Sequence, residues 1–277
     1  MRMDYVNRIF GLDGKRAIVT GGNSGIGFGI AVSLASLGAD VDILGRDQAT
    51  LGEAETKLNE LGSNGRAYRV DVSVKAEVDA FFDSYYDEFG HNLDILVANA
   101  GVTYTKRALD TSEGDIDAIM GINYKGALFC CQRASEAMIE RKRGNIIIVT
   151  SVNAHYPLPP QAVYTGSKAA LEALTQCLAV DLAKYGVRVN SLAPGAVVTK
   201  LGRNIAPRPS APPPSNIRMP VPLGRAGLPE DMGDAVACLV TDAFRYMTGS
   251  TILVDGGLRL RYKPGRTRER GGAQDAK

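Results

Sequence analysis

The 277-residue chain reads as an α/β domain: a parallel sheet doubly wound, with helices on both faces. Three observations carry that reading. Short apolar runs alternate with longer helical stretches along the chain. The first run leads through a glycine-rich turn straight into a helix. Hydrophobic residues at 45% beside 22% charged residues supply one sizeable core of a soluble protein. The net charge of +2 is too small to argue for a nucleic-acid partner, and no apolar run reaches membrane-spanning length. The Met1-Arg2-Met3-Asp4 start lacks the apolar stretch of a secretory signal, so a cytoplasmic location is expected. Cys130, Cys131, Cys177 and Cys238 fall in apolar helical patterns without metal-ligand spacing; no metal site is expected, and they read as buried free thiols.

Residues 15–20 form a short buried strand that runs into Gly21-Gly22-Asn23-Ser24-Gly25-Ile26-Gly27. An apolar helix follows to Leu37, closed by Gly38 as a C-cap, and 39–44 is the next strand. Strand, glycine turn, helix and strand make a βαβ unit whose turn sets backbone N–H groups against a phosphate. Glycines are needed because side chains there would block a pyrophosphate. The end of the second strand separates the two nicotinamide cofactors: an acid binds the ribose 2′-hydroxyl, an arginine accommodates a 2′-phosphate. Asp42 sits too early, Gly45 stands where the acid is expected, and Arg46 follows. NADP(H) is therefore favoured over NAD(H). The plainer alternative makes Arg46 a solvated residue and Asp47 the N-cap of the next helix.

The alternation continues with a helix over 48–61, a strand over 66–70 ending at Asp71-Val72, and a helix over 74–89. A fourth strand over 93–98 ends in Asn99-Ala100-Gly101. One long helix is expected over 111–143, with Asn123 in its middle. An asparagine inside an apolar helix is costly unless its amide is paired, so a helix distortion or a bound water is expected there, against a plain surface position. Residues 144–149 form a buried strand ending at Thr150-Ser151. A loop over 152–160 carries His155 and three prolines, and leads into a helix over 162–184. A strand over 187–192, the run Ala193-Pro194-Gly195-Ala196-Val197-Val198-Thr199, a helix over 229–241 and a short strand over 251–254 complete the domain. Residues 200–222 hold seven of the thirteen prolines and read as a substrate lid at the ligand edge. The basic stretch 261–277 reads as a mobile tail. The whole chain, 1–277, is one domain with its core at about 11–260.

The helix over 162–184 begins with Tyr164-Thr165-Gly166-Ser167-Lys168. Residues four apart share a helix face, so the lysine stands one turn from the phenol. A tyrosine titrates near pH 10. A neighbouring cation favours the phenolate, lowering that pKa and suiting the group to exchange a proton with a substrate oxygen.

Taken in order, Thr20-Gly21-x-x-x-Gly25-x-Gly27, Asp71-Val72, Asn99-Ala100-Gly101, Asn123, Ser151, Tyr164-x-x-x-Lys168 and Pro194-Gly195-x-x-x-Thr199 resemble the short-chain dehydrogenase/reductase family in its single-domain form. The resemblance covers nearly all of 15–257 and lacks no motif of the set. It implies a seven-stranded parallel Rossmann sheet and a homotetramer or homodimer. It implies that Tyr164 exchanges the proton, Lys168 lowers its pKa and holds the nicotinamide ribose, Ser151 binds the substrate oxygen, and Asn123 holds a relay water. Gly21, Asn23, Ser24, Gly25, Ile26 and Gly27 would lie along the adenosine and pyrophosphate, with Arg46, Asp71 and Val72 near the adenine end. Asn99, Ala100 and Gly101 would flank the ribose; Pro194, Gly195, Val197 and Thr199 would hold the carboxamide. The substrate is expected to be a small carbonyl or alcohol compound, a sugar, polyol or cyclic ketone, lined by Tyr104, Asn153, His155 and Tyr156. A 3-oxoacyl-thioester reductase, with Arg203, Arg208 and Arg218 serving an acidic carrier, is one alternative. A non-catalytic NADP-binding regulator is another.

Overall fold

A computed structural model describes residues 2–199 and 221–260. Seven strands, β1 (Arg16–Thr20), β2 (Asp40–Gly45), β3 (Ala67–Arg69), β4 (Ile95–Ala98), β5 (Gly144–Val149), β6 (Val187–Pro194) and β7 (Thr251–Val254), form one sheet in the order β3-β2-β1-β4-β5-β6-β7. Every neighbouring pair is parallel, so every link is a crossover rather than a hairpin. Helices supply most of them: α2 (Gly25–Ser36), α3 (Gln48–Glu60), α4 (Lys75–Phe89), α5 (Glu113–Met120), α6 (Ala127–Arg141), α7 (Ala162–Ala183) and α8 (Pro229–Leu239). The strand order turns back on itself between β1 and β4, which opens a crevice at their carboxyl ends.

Because strand side chains alternate, one strand feeds two cores. Ile146 and Ile148 of β5 point into a cluster with Phe82, Ala134, Met138 and Leu171. Ile147 points the other way, among Ile30, Leu34, Leu51 and Val236. Each such fully buried aliphatic side chain contributes about 1.5–3 kcal/mol.

A helix α1 (Arg2–Phe10) precedes the first strand, where the sequence gives no element and the expected core starts at 11. Tyr5 and Val6 are exposed, and the helix is only nine residues long, a length at which local signals alone hardly favour a helix. The expected helix over 111–143 is broken: between α5 and α6 lies a π-helical turn, Gly121–Gly126. Of the four free thiols, Cys130 and Cys131 are buried as expected. Cys177 is exposed and Cys238 only half-buried, because the apolar pattern of their helices continues onto the outer face. Residues 200–220 of the expected lid and the whole of 261–277 lie outside the described residues.

The helices α2 and α8 approach closely enough that Gly29 has no room for a side chain: a Cβ there would lie 2.5 Å from the Pro229 carbonyl oxygen. Gly29→Ala sets two effects against each other. Alanine gains about 1 kcal/mol of helix propensity over glycine, while overpacking against a backbone costs about 1–3 kcal/mol. We expect the clash to win, and the urea midpoint to fall. An unchanged or higher midpoint would show that α8 can back away freely.

Candidate active site

Thr20 closes β1, and its Oγ accepts the backbone N–H groups of Asn99 and Ala100, both at 3.0 Å. Asn99 in turn donates from Nδ2 to the Thr20 carbonyl at 2.9 Å. The carboxyl ends of β1 and β4 are thereby tied together. Gly21 takes φ +64°, a conformation that glycine adopts freely. A Cβ at Gly27 would strike the Gly21 carbonyl oxygen, so α2 sits directly on the turn. Ser24 is the N-cap of α2 but makes no side-chain cap bond. That leaves first-turn N–H groups facing the crevice, at the positive end of the helix dipole. A dinucleotide pyrophosphate fits those donors. On the other flank, a Cβ at Gly25 would meet Thr199 at 3.3 Å. Val197 bridges to Gly227, and the N–H of Gly195, just after Pro194, donates to the Val254 carbonyl at 3.0 Å. Ile26 is half-buried against the core.

At the end of β2, Asp42 is fully buried, pairs with Arg16 at 3.0 Å and accepts the Arg66 N–H at 2.9 Å. It is spent on the core and is out of reach of a ligand. Gly45 packs on Asn23, whose Oδ1 lies 2.6 Å from where a Cβ would be, and Asn23 donates to Thr50 Oγ at 2.8 Å. Asp47 is the N-cap of α3, accepting the Thr50 N–H at 2.8 Å. Arg46 is 60% exposed and stands 3.6 Å from Asp71. Burial works against the charge on Asp71, but hydrogen bonds from Ser73 and the Arg46 guanidinium outweigh it and hold the carboxyl below its usual range. Neither Asp71 nor Ser73 caps α4, which starts beyond Val74. Val72 turns its side chain into the core, against Gly126 of the π turn.

That π turn places Asn123. Its Oδ1 accepts the Val102 N–H at 2.8 Å, and its Nδ2 donates to the Val102 carbonyl and to Ser167 Oγ, both at 3.0 Å. Asn123 is completely buried and paired, so the expected helix distortion is present and the surface reading is wrong. Ser167 donates onward to the Tyr164 carbonyl at 2.7 Å. Gly101 lies beside this group: a Cβ there would be 3.3 Å from Asn123 Oδ1 and 3.5 Å from Lys168 Nζ.

Ser151, Tyr164 and Lys168 come together here. Lys168 is buried, donates from Nζ to the Val149 carbonyl at 2.8 Å, and lies 5.8 Å from the centroid of the Tyr164 ring. Burial lowers its pKa to about 8. Tyr164 does not follow the sequence argument. Burial pushes its pKa up, and the hydrogen bond with Ser151 only partly offsets this. The expected lowering by Lys168 is reversed because both groups are buried, and desolvation disfavours the charged form of each.

Around this centre, Asn153 donates to Gln161 Oε1 at 2.8 Å and Gln161 donates to Thr103 Oγ at 3.2 Å. Gln161, Thr103 and Glu172 are marked by no motif or spacing in the sequence. His155 is paired with Glu172 at 2.9 Å. Tyr104 is exposed and Tyr156 half-buried.

The family described as Enoyl-(Acyl carrier protein) reductase matches residues 21–259. The chain is 34% identical to the sorbose reductase of Schizosaccharomyces pombe, over 90% of this chain and 97% of that one. It is 36% identical to the 3-oxoacyl-[acyl-carrier-protein] reductase of Chlamydia pneumoniae, over 89% and 98%. Its fold superposes with a TM-score of 0.84 on the crystal structure of a gluconate 5-dehydrogenase from Burkholderia cenocepacia in complex with NADP and tartrate. That structure is 31% identical, with 92% and 99% covered.

The buried lysine has a measurable cost. Its pKa falls from 10.5 to about 8 on folding, so the unfolded chain holds the proton more tightly. The penalty, on the order of 3 kcal/mol at 1.36 kcal/mol per unit, is present in full below pH 8 and fades as pH rises towards 10.5. Lys168→Met should therefore raise the Tm of the cofactor-free protein at pH 7, and the gap should narrow from pH 8 to pH 10. Thermal melts across that range check both. A gap independent of pH would contradict the assignment.

Proposed function

The chain belongs to the short-chain dehydrogenase/reductase family, oxidoreductases acting on carbonyl and alcohol groups, and we propose that it reduces a ketone on a sugar, polyol or small cyclic compound with NADPH. The observation that carries the proposal is the joining of Ser151, Tyr164, Lys168 and Asn123 in one buried place at the carboxyl edge of the sheet. NADP(H), when bound, supplies or accepts the hydride at the carbon; the protein places the partners. Ser151 hydrogen-bonds the carbonyl oxygen and stabilises the negative charge that grows there. Tyr164 gives that oxygen its proton. A phenol whose pKa burial has raised stays protonated at neutral pH, as an acid must, and an alkoxide is basic enough to take the proton. Lys168 donates to the nicotinamide ribose hydroxyls and holds a proton close by, while Asn123 orders the relay behind it.

The cofactor would lie along Gly21, Asn23, Ser24, Gly25, Ile26 and Gly27, then past Asn99, Ala100 and Gly101 to Pro194, Gly195, Val197 and Thr199. Asp71 and Val72 border its adenine. Asn99 acts mainly by fixing the turn. Arg46 is the residue we assign to a 2′-phosphate, and the NADP complex of the gluconate 5-dehydrogenase supports NADP(H) use by this fold. The polar lining of Asn153, Gln161 and Thr103 and the likeness to a sorbose reductase favour a hydroxylated substrate. The likeness to a 3-oxoacyl-[acyl-carrier-protein] reductase supports a second reading, reduction of a 3-oxoacyl thioester. The arginines invoked for it, Arg203, Arg208 and Arg218, lie outside the described residues. A non-catalytic regulator would have no need of the complete set of four.

We further propose a cytoplasmic protein of one domain with homotetrameric or homodimeric assembly. The outward face of α7, with Ala169, Ala173, Cys177 and Val180 exposed, supports assembly by helix-on-helix packing between copies. Light scattering should report a dimer or tetramer that Val180→Arg weakens; a monomeric parent protein ends that reading.

Turnover tests the rest. NADPH oxidation should proceed with keto-sugars or cyclic ketones faster than with 3-oxoacyl esters. Tyr164→Phe should lower kcat by about 10²–10⁴-fold, the range of a general acid, with NADPH affinity nearly unchanged. Arg46→Ala removes a charge-assisted contact worth about 1.5–3 kcal/mol. It should weaken NADPH about 10–100-fold and leave NADH nearly untouched. Tight NADPH binding without turnover of any ketone would favour the regulator, and equal losses for both cofactors would overturn the role of Arg46.

A further inference from the structure

The mechanism above leaves one charged group unexplained. Glu172 stands on α7 one turn beyond Lys168 and two beyond Tyr164, on the same helix face. Its side chain is only 14% exposed. Its Oε1 lies 3.3 Å from the Thr150 hydroxyl and 2.9 Å from His155 Nε2. Thr150 is the residue before Ser151, and His155 closes the 3-10 turn Val152–Ala154 that follows it. The carboxylate therefore meets the chain on both sides of Ser151, sharing the Thr150 hydroxyl proton with the Leu192 carbonyl 3.1 Å away.

The rest of this loop shows why that matters. Thr150 is fastened to β6 through its N–H, 2.7 Å from the Leu192 carbonyl. Within the turn, Ala154 N–H donates to the Ser151 carbonyl, and the N–H groups of His155 and Tyr156 donate to that of Val152. These bonds keep the turn's shape but do not attach it to α7. Asn153 reaches Gln161, at the loop's far end. Lys168 of α7 ties down the strand end before the loop through the Val149 carbonyl, and Gln161, the N-cap of α7, holds Asn153. Glu172 adds the tie that reaches the residues immediately flanking Ser151 and its turn. Burying a carboxylate is unfavourable unless it is paired, and burial pushes the Glu172 pKa up while His155 pulls it back. An apolar residue would serve stability as well.

We propose that Glu172, bridging Thr150 and His155, is a positioning residue that sets the Ser151 hydroxyl against the Tyr164 phenol. It acts through Ser151 and touches neither substrate nor cofactor. The proposal rests on the reading of Ser151 as the group that binds the substrate oxygen.

A double-mutant cycle on the full-length protein tests it, with kcat, KM and NADPH Kd measured for each form. Coupled residues show non-additive losses, whereas independent ones add. Glu172→Ala should lower kcat about 10–100-fold while NADPH Kd moves less than about 3-fold, on the scale of a misplaced catalytic group. Glu172→Gln, which still offers an acceptor to both partners, should restore most of the loss. In a Ser151→Ala background, Glu172→Ala should lower kcat by less than about 3-fold more. A full second loss in that background, or a fall in NADPH affinity as large as the fall in kcat, would overturn the proposal. If Ser151→Ala alone leaves kcat unchanged, the assigned role of Ser151 fails first and takes this proposal with it. Should Glu172→Ala fail to fold, His155→Ala removes the other end of the bridge at an exposed position, and the same cycle decides.

Discussion

The tie between Thr20 and Asn99 is the constraint from which the rest of the molecule follows. Two parallel strands that lead to opposite halves of a sheet leave a gap at their carboxyl ends, and backbone groups in that gap need partners. Here the Thr20 hydroxyl takes two N–H groups and the Asn99 amide returns a bond to a carbonyl. With those satisfied, the backbone at Gly21 can turn at positive φ and α2 can begin directly above it. Any side chain at Gly27 would push the helix off the turn, and the uncapped N–H groups of α2 would no longer converge. The shape of this turn is thus a product of strand order and close packing, and only secondarily of the glycines as such.

Burial shapes the catalytic centre in the same way. A lysine and a tyrosine drawn into the interior each lose preference for their charged form, so the phenol holds its proton and the amine is left near pH 8. The attraction between a cation and a phenolate acts strongly when solvent is absent but must first overcome desolvation. At 5.8 Å from the ring centroid, and with Nζ already donating to a carbonyl, Lys168 does not overcome it.

Much of this was legible beforehand, and the reason is physical. Strands buried on both faces read as uninterrupted apolar runs, as in Ile146-Ile147-Ile148, and the turn after β1 needs glycines that nothing else explains. Asn123 was legible as a cost: a buried amide must find partners, and the π turn is how the backbone delivers it to Val102 and Ser167. What stayed hidden was contact between distant segments. Gln161 joins Asn153 to Thr103, and Glu172 joins Thr150 to His155. No spacing rule connects those positions, because loop geometry rather than period brings them together. His155, read as a possible substrate contact, is engaged by a carboxylate seventeen residues away in sequence that no local pattern marks. The short helix α1 stayed hidden for a different reason, since nine residues are too few for local signals alone to favour a helix.

The same reasoning sharpens the question of the cofactor's second phosphate. An acid at the end of β2 is the usual partner of an unmodified ribose, and position 45 is a glycine packed against Asn23. A Cβ on Gly45 would fall 2.6 Å from Asn23 Oδ1, and Asn23 is itself held by Thr50. Glycine at 45 and asparagine at 23 therefore pack together, and a side chain at 45 would have to shift the Asn23 amide. The two nearby carboxylates are engaged, Asp42 with Arg16 in the core and Asp47 with the first turn of α3. Arg46 remains exposed, held only loosely against Asp71. A contact at 3.6 Å between half-solvated groups is weak, so a dianion arriving between them can draw the guanidinium away at little cost. This balance supports assigning Arg46 to a 2′-phosphate: glycine stands where the competing acid would be, and the weak ion pair keeps the arginine available.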